Sequence, residues 1–508
     1  MIPRPRSVHL GGGALTLSPD TRLACGDGLA GLAGALRTAI NCPLPPGDGG
    51  ITLAVSSAHP AEGYALTVAP GGISIAGGSP AGVFYGVQTL RQLVAGGTVP
   101  FAEIVDAPRF PWRGVLLDVA RHFMPVPDVL RFIDLAAFHK LNVLHLHLTD
   151  DQGWRLPVPG WPLLTEVGAW RDSTMRGSRV HGRYDDVPHG GSYTDDDLRR
   201  IVSYASARHV TVVPEVDMPG HMQAAIAAYP SLGNGYAGPV RTSWGISTHV
   251  LNMSPSTLDF CRDVLTHVCE IFPSPLIGIG GDECPVDEWA DQPDPYAVQA
   301  RFTAEMAAHL AALGRRIYGW DELVARGAPR SAVIAAWRGV TPTIAAARAG
   351  HEVVACPDIS CYLDYRQSDD PGEPTPVGTL LTLADVYAFN PVPATMSEEE
   401  AVRVLGGQAN VWTEHMESAS RVDYMTYPRL CAFAEVVWVR HDYGSFLARL
   451  DDHLERLDAL GVNYRPLTGP RPADARPGAL GNPRTLPDRL AELHEMTADL
   501  RSAVPGTG

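Results

Sequence analysis

From Arg113 onward the chain alternates short apolar runs with amphipathic stretches, and this alternation limits its fold more than any other feature. The apolar runs are Gly114–Val119, Val143–Leu148, Val210–Val216, Ile277–Gly280, Arg316–Gly319, Val333–Trp337, Glu352–Ala355 and Val404–Val411. Each is bounded like a strand and mostly lacks the polar alternation of a half-exposed one, so they read as parallel strands buried on both faces. Helical spacing marks Val129–His139, Asp195–Arg208, Tyr296–Leu313 and Tyr424–Val437 between them. Thr194 followed by Asp195, Asp196 and Asp197 is a helix start, with negative charge at the positive end of the helix dipole. Eight strand–helix alternations predict an α/β fold, a TIM (β/α)8 barrel with insertions. A single run could equally be a buried helix segment, and a doubly wound sheet is the main rival, so the number of repeats carries the argument.

A chain of 508 residues is too long for one ordinary core. Residues 1–108 are rich in Gly and Pro, with strand-like runs at Ala14–Leu17, Ile51–Val55, Tyr64–Val68 and Gly72–Ile75 and a helical stretch at Ala81–Ala95. They read as a small α+β domain ahead of the barrel. The segment Asp106-Ala-Pro-Arg-Phe-Pro-Trp112, with two prolines, marks the junction. The barrel is expected over 109–465. Residues 466–508, Pro-, Gly- and Arg-rich and then helical around Leu486–Leu500, are expected to be a peripheral C-terminal segment.

Composition narrows the partners. The net charge of −16 argues against nucleic acid or an anionic membrane surface, both of which attract basic patches. The first residues carry Arg4 and Arg6 with no apolar run behind them, and no later stretch is apolar enough to span a bilayer. Eight cysteines are scattered from Cys25 to Cys431 without a CxxC pair, as expected of reduced thiols. A cytoplasmic location is therefore the expectation.

Catalytic residues of such a barrel come from the C-terminal ends of its strands. In order, those ends carry Arg121, Asp150–Asp151, Asp217 with His221, Asp282–Glu283, Trp320–Asp321, Trp337, Tyr362 with Asp364, and Trp412 with Glu414. Flat aromatic faces combined with carboxylates suit a pyranose, which has apolar C–H faces and a polar rim. The sharpest element is Gly278-Ile-Gly-Gly-Asp-Glu283, where glycines let the backbone approach a ligand ahead of paired acids. Those acids could simply cap the next helix. Adjacent acids also straddle a scissile bond poorly; they more naturally share a side, one protonating and the other holding the substrate. Other readings stay open at this point. Asp151 and Asp217 read as structural acids, and Asp321 fits either role. His145 and His147 share one strand face and could hold a metal in an amidohydrolase-type barrel, or be core residues. A non-catalytic sugar-binding barrel would not need an acid.

The strings Leu-Asp-Val-Ala-Arg-His-Phe (117–123), His-Leu-His-Leu-Thr-Asp-Asp-Gln-Gly-Trp-Arg (145–155), Pro-Glu-Val-Asp-Met-Pro-Gly-His (214–221), Gly-Gly-Asp-Glu (280–283), Tyr-Leu-Asp (362–364) and Trp-Thr-Glu (412–414) occur in that order. Together they resemble the β-N-acetylhexosaminidases of glycoside hydrolase family 20, over roughly 105–440, and the first domain resembles that family's α+β partner. The resemblance implies an exo-acting, retaining hydrolase that removes terminal β-linked GlcNAc or GalNAc with the substrate's 2-acetamido group as nucleophile. It implies that Glu283 is the general acid and base, that Asp282 orients the acetamide and that Tyr362 donates to its carbonyl oxygen. Trp320, Trp337 and Trp412 would wall the pocket, while Arg121, Asp364 and Glu414 would bind ring hydroxyls. Asp150 and His221 would form a pair near the general acid. No metal and no cofactor are implied; the partner is a small sugar or oligosaccharide ending in an N-acetylhexosamine. The chain departs from the family at Gly278, where a histidine is usual, which predicts altered surroundings behind the two acids.

Overall fold

The computed structural model describes residues 1–504. Ahead of the barrel, Ser7–Thr16 (β1), Leu23–Cys25 (β2), Ile51–Val55 (β3), Tyr64–Ala69 (β4), Gly72–Gly77 (β5) and Thr98–Asp106 (β6) form a mixed sheet in the order β1-β6-β4-β5-β3-β2. Alternate residues of β4 and β5 are buried, as a one-sided sheet requires, and Ala30–Ile40 (α1) and Pro80–Leu93 (α2) complete the domain. Three of these elements are absent from the sequence reading: β2, β6 and α1. Gly31 and Gly34 weaken the helical signal of α1, which is held by the burial of Leu32, Leu36 and Ile40.

The eight apolar runs become Trp112–Asp118 (β7), Val143–Asp150 (β8), Thr211–Val216 (β9), Leu276–Gly278 (β10), Arg316–Trp320 (β11), Val333–Ala336 (β12), Glu352–Ala355 (β13) and Val404–Val411 (β14). Each pairs in parallel with the next, and β14 pairs with β7, so the sheet closes into a barrel. Every residue of β7 and β8 is buried, which is why these strands are apolar on both faces. The helices around it are Val126–Phe138 (α3), Asp195–Ser206 (α4), Pro255–Ile271 (α5), Pro295–Ala312 (α6), Thr341–Ala349 (α7), Ala419–Thr426 (α8), Arg429–Trp438 (α9) and Tyr443–Ala459 (α10), with shorter turns in the loops. Thr194 and Asp197 form a reciprocal cap at the start of α4. The single helix expected over Tyr424–Val437 is instead α8 and α9. Pro428 lacks an N–H, and Tyr427 before it is extended at φ −103°, ψ 140°.

Buried polar contacts lock the first domain to the barrel. Lys140 Nζ lies 2.9 Å from Asp106 Oδ2, with both side chains fully buried. Trp438 Nε1 also donates to Asp106, and Arg113 donates to Glu62 and to the Tyr85 hydroxyl. These contacts gather where the chain enters β7 and β8, at the end of the barrel opposite the strand C-termini. At that other end lies the segment expected to be peripheral. Asn482–Pro483 pairs with Val377–Gly378 in the loop after β13. Leu486–Met496 (α11) and Ala498–Ala503 (α12) follow, with Arg489 Nε donating to Asp358 Oδ2 at 2.6 Å and Arg338 donating to the carbonyl of Met496. The segment therefore covers part of the barrel's C-terminal end.

Candidate active site

After β10 the chain turns sharply. Gly280, Gly281 and Glu283 have φ of 61°, 84° and 45°. A Cβ at Gly280 would collide with the Asp217 carboxyl, and one at Gly281 with Leu323, so both positions need glycine for space as well as for conformation. Glu283 occupies the left-handed region without being glycine, a strained choice that functional sites tolerate. Its side chain is 29% exposed and lines the cavity beside Asp282.

Behind these acids lies a run of buried titratable groups. Asp217 Oδ1 accepts from Gly281 N–H at 3.1 Å, and the Asp217 carboxyl is an electrostatic neighbour of Asp282. Burial pushes both carboxyls well above the ordinary range, and the neighbouring Asp217 charge adds to the rise at Asp282. Two carboxyls this close titrate as a coupled pair rather than independently. His221 faces them, its Nε2 lying 3.8 Å from Asp282 Oδ2 and 3.8 Å from Glu283 Oε2. Its Nδ1 is 3.3 Å from Asp150 Oδ1 and 3.5 Å from Asp151 Oδ2. Burial works against a charged imidazole, but Asp150, Asp151 and Asp217 outweigh it and hold His221 well above its usual value. Arg121 NH2 bonds Asp150 Oδ2 at 2.7 Å, and its guanidinium lies 5.0 Å from the Trp412 ring centre.

The cavity has a volume of about 470 Å³, and its wall includes Arg121, Asp282, Glu283, Trp337, Tyr362, Asp364, Trp412 and Glu414. The Trp337 and Tyr362 rings are nearly parallel, 6.1 Å apart, with Trp412 tilted 6.2 Å from Tyr362. Trp337 Nε1 is fixed by a hydrogen bond to Glu322, whose carboxyl burial pushes up to about 8. Burial also raises Asp364 and Glu414, with the Glu414 charge adding to the rise at Asp364 and Arg121 opposing the rise at Glu414. Asp282 Oδ1, His221 Nε2, Asp364 Oδ1, Trp412 Nε1 and Trp320 Nε1 are buried without a hydrogen-bond partner. Buried polar atoms seldom go unpaired, so the orphans on the cavity's own wall, those of Asp282, Asp364 and Trp412, call for a polar ligand with apolar faces. Such a wall can hold a sugar ring, and Glu283 can pass it a proton.

Comparison with known proteins agrees with this geometry. Residues 110–441 match the glycosyl hydrolase family 20 catalytic domain, and residues 1–107 match domain 2 of the same family. The chain belongs to glycosyl hydrolase family 20. A β-hexosaminidase of Porphyromonas gingivalis is 39% identical over 453 residues, covering 82% of this chain and 57% of that protein. The chain thus spans a little over half the length of that relative. A β-hexosaminidase of Akkermansia muciniphila is 36% identical, covering 77% of this chain and 83% of the relative. Among solved structures, the family 20 exo-β-N-acetylglucosaminidase of Vibrio harveyi in complex with N-acetylglucosamine superposes with a TM-score of 0.82 at 31% identity, covering 92% of this chain and 78% of the other.

Most of the residues singled out in sequence meet in the cavity of this family 20 hydrolase. Among those to which the resemblance gives a role in the site, three do not line it. Trp320 is 1% exposed and packs behind Trp412, 5.8 Å between ring centres. Asp150 is buried behind Arg121, and His221 behind the two acids, so neither directly lines the wall. His145 and His147 point into the barrel around Glu215. His147 Nδ1 bonds Glu215 Oε1 at 2.6 Å and its Nε2 bonds Asp150 Oδ2 at 2.9 Å, while His145 Nε2 sits 3.2 Å from Glu215 Oε2. Gly278 is explained by the same carboxylate. It faces Glu215 across the β9–β10 pair, and a Cβ there would lie 2.7 Å from Glu215 Cβ. The altered surroundings expected there are the Glu215 side chain, which packs against Gly278.

The cavity also has wall residues that do not lie at strand ends. Trp244, Ile246, Arg179 and Val180 come from long irregular loops, and Asn482 and Arg484 from the C-terminal segment. Nothing local in those stretches signals proximity to a distant strand end. In the sequence Asp217 reads as a structural acid. Its contact with Gly280 and Gly281 could be anticipated only by knowing that β9 and β10 are neighbours.

Proposed function

We propose that this chain is an exo-acting, retaining β-N-acetylhexosaminidase that releases terminal β-linked GlcNAc or GalNAc with help from the substrate's own acetamide. The observation that carries the reading is that Asp282 and Glu283 share one wall, both reaching the same His221 nitrogen at 3.8 Å. Acids on one wall do not flank a glycosidic bond as a nucleophile and an acid must. Glu283, the more exposed of the two, protonates the leaving oxygen and later activates water. Asp282 Oδ1, buried and free of protein partners, accepts from the acetamide N–H and turns its carbonyl oxygen to the anomeric carbon. Tyr362 supports that carbonyl oxygen, and Trp337 and Trp412 enclose the methyl and the ring face. Attack from a group already held in the site is effectively intramolecular, which removes up to about 7–11 kcal/mol of barrier in favourable cases. The relatives named for β-hexosaminidase activity and the N-acetylglucosamine-bound neighbour support the substrate class. The test is kinetics on an aryl β-GlcNAc beside the matching aryl β-glucoside. Substrate assistance requires turnover of the first and almost none of the second; equal rates would discard the role given to Asp282.

A further inference from the structure

His221 presents an unpartnered, buried Nε2 between two carboxylates, an arrangement with a second use. We infer that the site also takes a single divalent cation of the zinc class on His221 Nε2, Asp282 and Glu283, in place of substrate and as an inhibitor.

The three ligand atoms lie within 4.8 Å of one another, and Nε2 stands 3.8 Å from each carboxylate. Zinc bonds to nitrogen and oxygen at about 2.0–2.2 Å, which sets tetrahedral ligand atoms about 3.4 Å apart. Each carboxylate therefore has to approach Nε2 by only about 0.4 Å. The two carboxylate oxygens, within 4.8 Å of one another, close to the same edge by rotation of side chains that are both partly exposed. His221 is only 4% exposed, with Nε2 facing the acids and bonded to nothing. Its opposite nitrogen, Nδ1, is held by Asp150 at 3.3 Å, the carboxylate–histidine arrangement that orients an imidazole towards a metal. Asp217 and Asp150 add further carboxyl groups close behind, and the cation exchanges with the Nε2 proton, which passes to solvent. The fourth position opens to the cavity, where it takes water, so cation and sugar exclude one another.

One imidazole and two carboxylates suit Zn²⁺, Co²⁺ or Cu²⁺. They offer too few oxygens for Ca²⁺ and the wrong geometry for Mg²⁺. The metal is no part of the hydrolysis: it occupies the acid and the acetamide acceptor together.

The competitive character rests on the substrate placement proposed above; the metal site does not. In metal-free buffer, ZnCl2 should raise the apparent KM for an aryl β-GlcNAc in proportion to its concentration, with kcat unchanged and full reversal by chelator. Mg²⁺ and Ca²⁺ at the same concentration should do nothing. Co²⁺ added to the resting enzyme should give the visible absorption of a low-coordinate centre, and excess GlcNAc or the substitution Glu283→Gln should abolish it. Cys284→Ser should be inhibited to the same degree, since the neighbouring thiol takes no part. No cobalt band at millimolar metal, or inhibition lost in Cys284→Ser, overturns the site. A cobalt band with inhibition that leaves KM unchanged keeps the site and overturns the placement of the sugar instead.

Discussion

Asp282 and Glu283 are neighbours in the chain but meet different surroundings. Asp282 turns inward to Asp217 and His221, while Glu283, on its left-handed backbone, stays at the cavity surface. Replacing Glu283 by Gln should cut turnover of poor leaving groups by about 10²- to 10⁴-fold, the usual contribution of a general acid. Activated aryl glycosides should lose far less, as measured by kcat/KM across a leaving-group series. A uniform loss would remove Glu283 from the acid role. Asp282 accepts most strongly from the substrate N–H, and offsets positive charge developing there, when it is ionised. Because burial and Asp217 raise its value, the acid limb of kcat/KM should lie above the ordinary carboxylate range. Asp217→Asn removes the like charge, so Asp282 should ionise more readily and the limb should shift to lower pH. A limb that stays put or moves up would contradict the pairing.

The elements that carry the acids and the first aromatics were legible because strand-end residues sit next to periodic apolar runs. Those that complete the wall were not. Asn482 and Arg484 reach the cavity through the short pairing of Asn482–Pro483 with Val377–Gly378, which has no local sequence signal. Arg489 on α11 ties this segment down through Asp358, which also accepts from the Tyr365 hydroxyl. Both partners of that ion pair are nearly buried, at 6% and 0% side-chain exposure. Arg489→Ala leaves the Asp358 carboxylate without its cation, and removing one partner of a buried pair costs about 3–5 kcal/mol. The variant should melt earlier and show a raised KM, because Tyr365 and Trp337 line the cavity. A lower melting temperature with unchanged KM would show that the segment braces the fold without shaping the site.

At the scale of the whole molecule, the first domain and the active site occupy opposite ends of the barrel. The contact between Lys140 and Asp106 is closed to solvent and sits where the chain enters β8. Lys140→Met strands the Asp106 carboxylate and should destabilise by a similar amount, about 3–5 kcal/mol. Because the strand C-termini do not move, kcat and KM of the folded fraction should stay near the original values. A large change in KM at a temperature where the variant is folded would mean that the first domain reaches the site.

The sequence by itself pointed to the barrel, through eight repeats of a buried apolar run and an amphipathic stretch, and it marked the Asp–Glu pair through the glycines of the turn ahead of it. Periodicity and turn chemistry are local, so they survive in one dimension. What the tertiary structure alone decided was adjacency: which acid stands behind Asp282, why Gly278 has no side chain, and which remote loops close the cavity. Asp217, Glu215 and Arg484 owe their places to strands and segments that meet only in the folded chain, and electrostatic coupling depends on those distances rather than on separation along the sequence.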